Sequence, residues 1–492
     1  MQKLFYTGHP LLDVGLATIV VFAEKDSIAD LEESDLDKIA NYMDDNYTVN
    51  PLRSFLTVVF PNSGYTQPAF FSQPEKQAVY KSKVLRGYRT NSPRTKENDA
   101  FMGLSVVDLP LDADVDGKLV PGRVYRQHIP LLTGEDVINF HAHGEAGLSI
   151  SGEALLAFQA LPLGSAKCEG RLLFIHSDNA EINQFFARKF LEGNRQAIQL
   201  AQQAGSSKIA EPDKKLKTFL FEVLLDALRK QFTFEQISRP FSITAYHMTN
   251  SGQSADLNIY HLPNQFILFI KDMLSAEYAP AWNKLVAKAW EIPKVKKGET
   301  KTAPSPRNYI YEDLFNVIES PYRYASRFIR TYFLREPLRY AKAGIDPRAA
   351  YSIQQEYEFV SWKLAEAFIR RFLNMQSERI EHIRTLADAL ASYIKQENDK
   401  SFFRAYYMET KYPRLRTLLI KANTRFVQQG NAPFLSFDGF IGIFEEAEEI
   451  VFKDWQLAND LILIRMVEKL YENGWLGKNK ETLDEVNRPS VE

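Results

Sequence analysis

The sequence of 492 residues holds a single cysteine, Cys168. That excludes an internal disulfide and a multi-thiolate zinc site, and it points to a reducing compartment. An excess of charge is also missing: 60 Lys and Arg against 62 Asp and Glu leave a formal charge of -2. A binder that relies on global charge is therefore excluded, and any nucleic-acid surface has to be local. Long apolar runs are absent as well. The most apolar early stretch, Leu16 to Ala23, is far shorter than the ~20 residues of a membrane-spanning helix. The opening MQKLFYTGHP has neither the charged head nor the apolar core of a signal peptide. The expectation is a cytoplasmic protein with no membrane contact.

Catalytic motifs are scarce too. No glycine-rich dinucleotide fingerprint and no phosphate-binding GxxxxGK[ST] loop occurs. Gly147, Ser149 and Gly152 approach a nucleophile elbow, but the second glycine comes one residue too late. Asp112, Asp114, Asp116 and Gly117 open like a calcium loop, yet Arg123 stands where the closing glutamate is required, so a solvent-exposed turn is expected. His141 and His143, with His128, Asp136 and Glu145 nearby, have a conceivable ligand spacing. No HExxH-like arrangement supports it, and hydrogen-bonding loop histidines are the expectation. No metal, cofactor or catalytic residue is assigned, and the chain is read as a non-enzyme.

What the chain does have is aromatics: 34 Phe and 23 Tyr, many beside Arg or Lys. These are either core rings next to surface charges or a face that stacks on bases while binding phosphates. The length suits two or three domains. Up to residue 290 the pattern is mixed. Ser34 with Asp37 resembles a capped helix start, with Leu36, Ile39, Ala40 and Met43 at helical spacing. Ser54 to Phe60 and Arg171 to His176 read as strands. Asp178 and Glu181 open a helix carrying Ile182, Phe185, Phe186 and Phe190 on one face, and Asp213 to Lys230 is helical. Residues 291–307, with three prolines and no apolar period, read as a linker or exposed loop. A connecting basic, aromatic region (308–350) and a helical bundle (351–476) follow, built from Glu356 to Ile394, Ser401 to Gln428 and Phe440 to Glu472. From Gly477 the chain reads as a frayed tail. The fold class is α+β: a mixed α/β region followed by an all-α bundle.

Positive charge clusters in four places. Arg86, Arg89, Arg94 and Lys96 surround Tyr88, Asn91, Ser92 and Pro93, residue types that track a backbone and probe base edges, or simply make a polar loop. Lys214, Lys215 and Lys217 form a second cluster. In a third, Arg323, Arg327 and Arg330 share a helical ridge among Tyr322, Tyr324, Phe328, Tyr332 and Phe333, with Arg335, Arg339, Lys342 and Arg348 beyond. The fourth runs through Lys395, Lys400, Arg404, Lys411, Arg414, Arg416, Lys421 and Arg425, after which Glu445, Glu446, Glu448 and Glu449 reverse the sign. Phosphate contacts on such faces make binding salt-sensitive.

Three segments carry a resemblance: YTGHPLLDVGLATIVVFA (Tyr6 to Ala23), FPNSGYTQPAF (Phe60 to Phe70) and LLAFQALPLGSAKCEGRLLFIHS (Leu155 to Ser177). In this order they resemble the CRISPR-associated large subunits of type I-B Cascade complexes, in the subgroup with the Tneap-type protein. The carboxy-terminal third is similar to that family in architecture, its bundle resembling the Cascade small subunit. Relatives often carry paired cysteines suggesting a zinc insertion; only Cys168 is present here, so zinc is not carried over.

The resemblance implies a non-catalytic subunit that contacts guide RNA, recognises the PAM duplex of double-stranded target DNA and aids unwinding and R-loop formation in antiviral defense. Its implied protein partners are Cascade backbone and small subunits, and a helicase-nuclease or transposition apparatus as downstream effector. On it, motif reading is assigned to Asn62, Arg89, Asn91, Arg94 and Lys96. Backbone contacts fall to Lys214, Lys215, Lys217, Arg323, Arg327, Arg330, Arg339 and the block Lys411, Arg414, Arg416, Lys421 and Arg425. Phe60, Tyr65, Phe70 and Phe71 either wedge the duplex or anchor their turn to the core. In some such systems the bundle is also made from an internal start; Met375 precedes most of its basic residues, while an earlier non-methionine start codon would fit the bundle better. The competing readings are an RNA-binding or RNA-processing subunit and a structural helical scaffold.

Overall fold

A computed structural model describes residues 2–132, 146–230, 241–251, 255–293, 305–444 and 454–486. The chain forms two compact units, Met1–Pro212 with Phe232–Pro263, and Asp213–Gln231 with Asn264–Glu492. The helix Leu216–Lys230 and residues 264–290 thus fall in the second unit.

The first unit is built around α1 (Pro10–Phe22), whose residues from Leu11 to Val21 are all buried. A helix apolar on every side is a core helix, which is the role of the early apolar run. Pro10 sits in its first turn and the His9 ring accepts from the Leu12 amide. Then come α2 (Glu33–Asn46), α3 (Leu52–Leu56) and α4 (Pro74–Arg86). Two small antiparallel ribbons follow, β1 (Arg94–Asn98) with β2 (Ser105–Val107) and β3 (Arg123–Val124) with β4 (Leu148–Ser149). Next are α5 (Gly152–Ala160), β5 (Ala166–Cys168), β6 (Arg171–Ser177) and α6 (Ala180–Gln203). After an excursion into the other unit the chain returns as β7 (Ile243–Thr249) and β8 (Asp256–Leu262), completing an antiparallel sheet ordered β5-β6-β7-β8. α1 packs against α5, α6 and β6. At Gly15 a β-carbon would lie 1.9 Å from the Ala157 carbonyl oxygen, so only glycine permits this crossing.

Three local expectations are corrected. Ser54 to Phe60 is not a strand: α3 and the turns after it bury Leu52, Phe55, Leu56, Val59 and Phe60, a helical period that outweighs the β-branched Thr57-Val58-Val59 run. α2 is capped at Glu32, whose amide donates to Asp35 at 3.1 Å, not at Ser34. α6 is capped by Asn179, which accepts from the Glu181 and Ile182 amides, while Asp178 accepts from the Ser242 amide.

Beneath α4 lies a buried aromatic cluster of Tyr47, Tyr65, Tyr80 and His128. His128 bonds the Leu111 carbonyl at 2.7 Å and the Tyr125 amide at 3.2 Å, so it is a core histidine. Burial pushes its imidazole down to about 4, from 6.5. Because the unfolded chain takes up that proton first, this contribution is complete above pH 6.5 and is lost as pH falls toward 4. Denaturant unfolding of the first unit at pH 5 is expected to show stability about 2 kcal/mol below that at pH 7. An unchanged midpoint would contradict a neutral buried His128.

Among the described residues the regular elements of the second unit are helices, joined by turns and loops, with isolated bridge residues at Trp290, Asn308 and Leu338. It contains α7 (Leu216–Lys230), α8 (Asn264–Leu274), α9 (Ala279–Ala287), α10 (Tyr309–Glu319) and α11 (Pro321–Phe328). α12 (Trp362–Phe372) and α13 (Ser377–Glu397) replace the single expected helix, the break carrying Asn374 at φ 48°. α14 (Lys400–Met408) and α15 (Tyr412–Gln428) likewise replace one segment, with Pro413 in the first turn of α15. α16 (Phe437–Phe444), α17 (Asp454–Glu472) and α18 (Lys480–Asp484) finish the bundle, in which α13 packs along α17. Thr482, Leu483 and Val486 are buried, so the chain is not frayed from Gly477. Residues 294–304 of the expected linker lie outside the described residues. Among the described residues no helix is long and apolar enough to cross a membrane.

Candidate nucleic-acid interface

In the second unit α15 carries a cationic surface. Leu415, Leu419 and Ala422 are buried on one side, leaving the opposite side to solvent. There Arg414, Lys421 and Arg425 recur at i, i+7 and i+11, which at 3.6 residues per turn places them on one stripe about 16 Å long. Thr417 and Thr424 flank it, their hydroxyls donating to the Pro413 and Ile420 carbonyls. Arg425 pairs with Asp399 at 3.3 Å while remaining 60% exposed. Lys411, Arg414, Arg416 and Lys421 are exposed, and none makes an ion pair among the described residues. Unpaired cations gathered on one exposed helix face are what a phosphate backbone needs and what internal packing does not.

The expected ridge on α11 is broken. The helix gives way to a wider π-helical turn at Ile329–Phe333, which takes Arg330 out of register. Arg330 instead bonds buried Glu336 at 2.7 Å. Arg323 and Arg327 stay together, their guanidiniums 5.2 and 4.9 Å from the Tyr324 ring. Phe328, Tyr332 and Phe333 are core rings, Phe328 stacking on Phe368 at 4.8 Å. Arg335 is fully buried against Glu356 and Tyr351. Arg348 is held by Asp313 and Asp346, which keep its guanidinium charged despite burial. Tyr322 and Tyr340 are 87% and 76% exposed, and exposed Arg339 lies 5.5 Å from the Tyr340 ring. Lys214 serves the fold, lying 4.3 Å over Trp290 and donating to the Ser305 carbonyl. Lys217 donates to Asn316, and Lys215 is exposed.

In the first unit, the loop between α4 and β1 separates into two kinds of residue. Arg94 makes two 3.0 Å bonds to Glu153, which is completely buried, and a third to the Tyr88 carbonyl. It is committed to the fold and is withdrawn from the candidate readers. Arg89 bonds Asp37 at 2.8 Å and is 42% exposed. Burial opposes ionisation of Asp37, but bonds from Tyr88 and Arg89 outweigh it and hold the carboxyl below the usual range. Asn62, Asn91 and Lys96 are exposed, Asn62 at φ 59°.

The wedge candidates separate in the same way. Phe60 and Tyr65 are buried, Tyr65 packing edge-on to Tyr47 and Tyr80, so both anchor their turn to the core. Phe70 is half-buried. Phe71 is 44% exposed with the Arg53 guanidinium 4.1 Å above its ring, a pairing without a signal in sequence because 18 residues separate the two.

Asp112 turns inward to accept from the Lys118 and Leu119 amides and from Lys83, as a turn residue does. Among the described residues no group of three or more ligating side chains could hold an ion. His141, His143, Asp136 and Glu145 lie outside the described residues.

No family model matches the chain, and comparison with curated proteins and with solved structures returns no match.

Proposed function

We propose that this chain is a non-catalytic nucleic-acid-binding subunit that holds a separated strand along α15. The observation that carries this reading is the set of exposed cations on and beside α15, Lys411, Arg414, Arg416 and Lys421, without acidic partners among the described residues. An exposed lysine or arginine row gains little from the fold, whereas each phosphate it neutralises releases counterions. The three amino-terminal segments that resemble type I-B large subunits give the context: a Cascade complex in which guide RNA reads the target and the protein reads only a short flanking motif.

In that context the readers are Asn62, Asn91 and Lys96, with Arg89 in reach at the surface. The guide-paired complex is the form to assay, over a duplex library randomised beside the target, with and without this chain. Selective opening is expected only when the chain is present. Alanine at Asn62, Asn91 and Lys96 together is expected to relax preference by about 1–3 kcal/mol for each base edge that is no longer read. A library profile unaltered by omitting the chain would leave α15 as its sole functional surface.

A further inference from the structure

A groove of about 390 Å³ opens between α15 and the start of α16, at the edge of the exposed face of α15 away from the basic stripe. Its walls include Leu419, Ile420, Leu435, Phe437 and Phe440, with Arg416 as the charged member. The polar groups of Asn423 and Ser436 are already used: Asn423 bonds Leu435 and Phe434, and Ser436 accepts from the Gly439 amide. They shape the rim and leave Arg416 free to meet a ligand. Phe437 is 73% exposed and Ile420 54%, so apolar surface that a fold ordinarily covers lies open here.

Arg416, Ile420 and Thr424 form an i, i+4 row on α15 that lies between the groove and the Lys421 stripe. A strand lying along the exposed face of α15 therefore has the stripe at one edge and Arg416 with the mouth of the groove at the other. We propose that the groove takes one unpaired nucleobase of that strand, with Phe437 and Ile420 as its walls and the adjoining phosphate on Arg416. This rests on the reading of α15 as the strand-holding surface. The volume lies at the lower end of the roughly 300–1,000 Å³ range of small-ligand pockets. A protein helix is a poorer occupant, because it seeks apolar anchors recurring along a strip. The exposed neighbours of Ile420 on α15 are instead Arg416, Thr417, Lys421 and Thr424, and Val427, seven residues on and 44% exposed, is the one further apolar residue on that line.

The test uses the full chain and two labelled single strands of equal length, oligothymidylate and its abasic counterpart, compared by fluorescence anisotropy across a salt series. The wild type is expected to hold the base-bearing strand roughly 5- to 150-fold more tightly, the span of one stacked base. Phe437→Ala is expected to bind both strands alike with the salt slope of the wild type, and Ile420→Ser to act in the same direction. Both positions are exposed, so folding is not at stake. Equal binding of the two strands by the wild type, with its salt slope intact, would overturn the groove but leave strand holding. Persistence of the preference in Phe437→Ala would also overturn it, placing base stacking elsewhere. Binding of neither strand overturns both readings. Self-association that disappears in Phe437→Ala, seen by sedimentation, would assign the groove to a second copy and overturn the proposal.

Discussion

Replacing Arg94 with alanine is expected to destabilise the first unit by about 3–5 kcal/mol, because it strands a buried carboxylate. Glu153 is completely buried, and besides Arg94 it accepts from the Gln2 amide at 2.9 Å. Denaturant unfolding of Arg94→Ala measures the loss, and Glu153→Gln in the same background should recover part of it by removing the uncompensated charge. A loss below about 1 kcal/mol would mean that water reaches Glu153 and that the pair behaves as a surface bridge. The consequence for function is practical. An alanine scan of the loop between α4 and β1 that includes Arg94 reports unfolding, and a loss of target selectivity there says nothing about base reading.

The second large effect is on binding. Glutamine at Arg414, Lys421 and Lys411 is expected to lower the dependence of log affinity on log salt by about 2, given a slope near 0.7 per phosphate on single strands. The melting temperature should stay unchanged, since none of the three is paired among the described residues. Affinity should fall for every sequence alike, because contacts of this kind position the strand and carry no base information. The matching substitution at Arg330 should instead lower stability, as Glu336 is only 3% exposed. If the α15 variant kept its full salt slope, the strand would lie on another surface. Arg323 and Arg327 around Tyr324 would then be the next to neutralise.

Local periodicity carried much of the architecture into the sequence. β6 was legible as a short continuous apolar run and α6 and α7 by their apolar period, and the mixed-then-helical order of the α+β chain followed from where strand signals stop. α3 misled because Thr57-Val58-Val59 advertises a strand while the spacing of Leu52, Phe55, Leu56, Val59 and Phe60 was helical all along. Long-range pairing was beyond reach. Arg94 meets Glu153 across 59 positions, and no window of local sequence separates a partnered arginine from a free one. On α15 the row of cations was visible, but not that it lacks acidic partners, since that depends on which helices lie beside it. The groove at Phe437 gave no signal, because an apolar residue opening a short helix reads as core until its exposure is known.

The interleaving of the two units also sets an order of assembly during synthesis. The first unit cannot close its sheet until β8 has emerged, and by then α7 has already been made. α7 belongs with α10, where Phe221 stacks on Tyr311 at 4.0 Å. Between Lys230 and Tyr309 the ribosome adds roughly 80 residues, on the order of 4–16 s at about 5–20 residues per second. Throughout that interval Phe221 lacks its stacking partner, on a helix whose Leu220, Val223 and Leu224 are also destined for burial. A nascent chain stalled before α10 presents an amphipathic helix that has met α8 but still lacks its larger partner, a segment on which a holding chaperone can act.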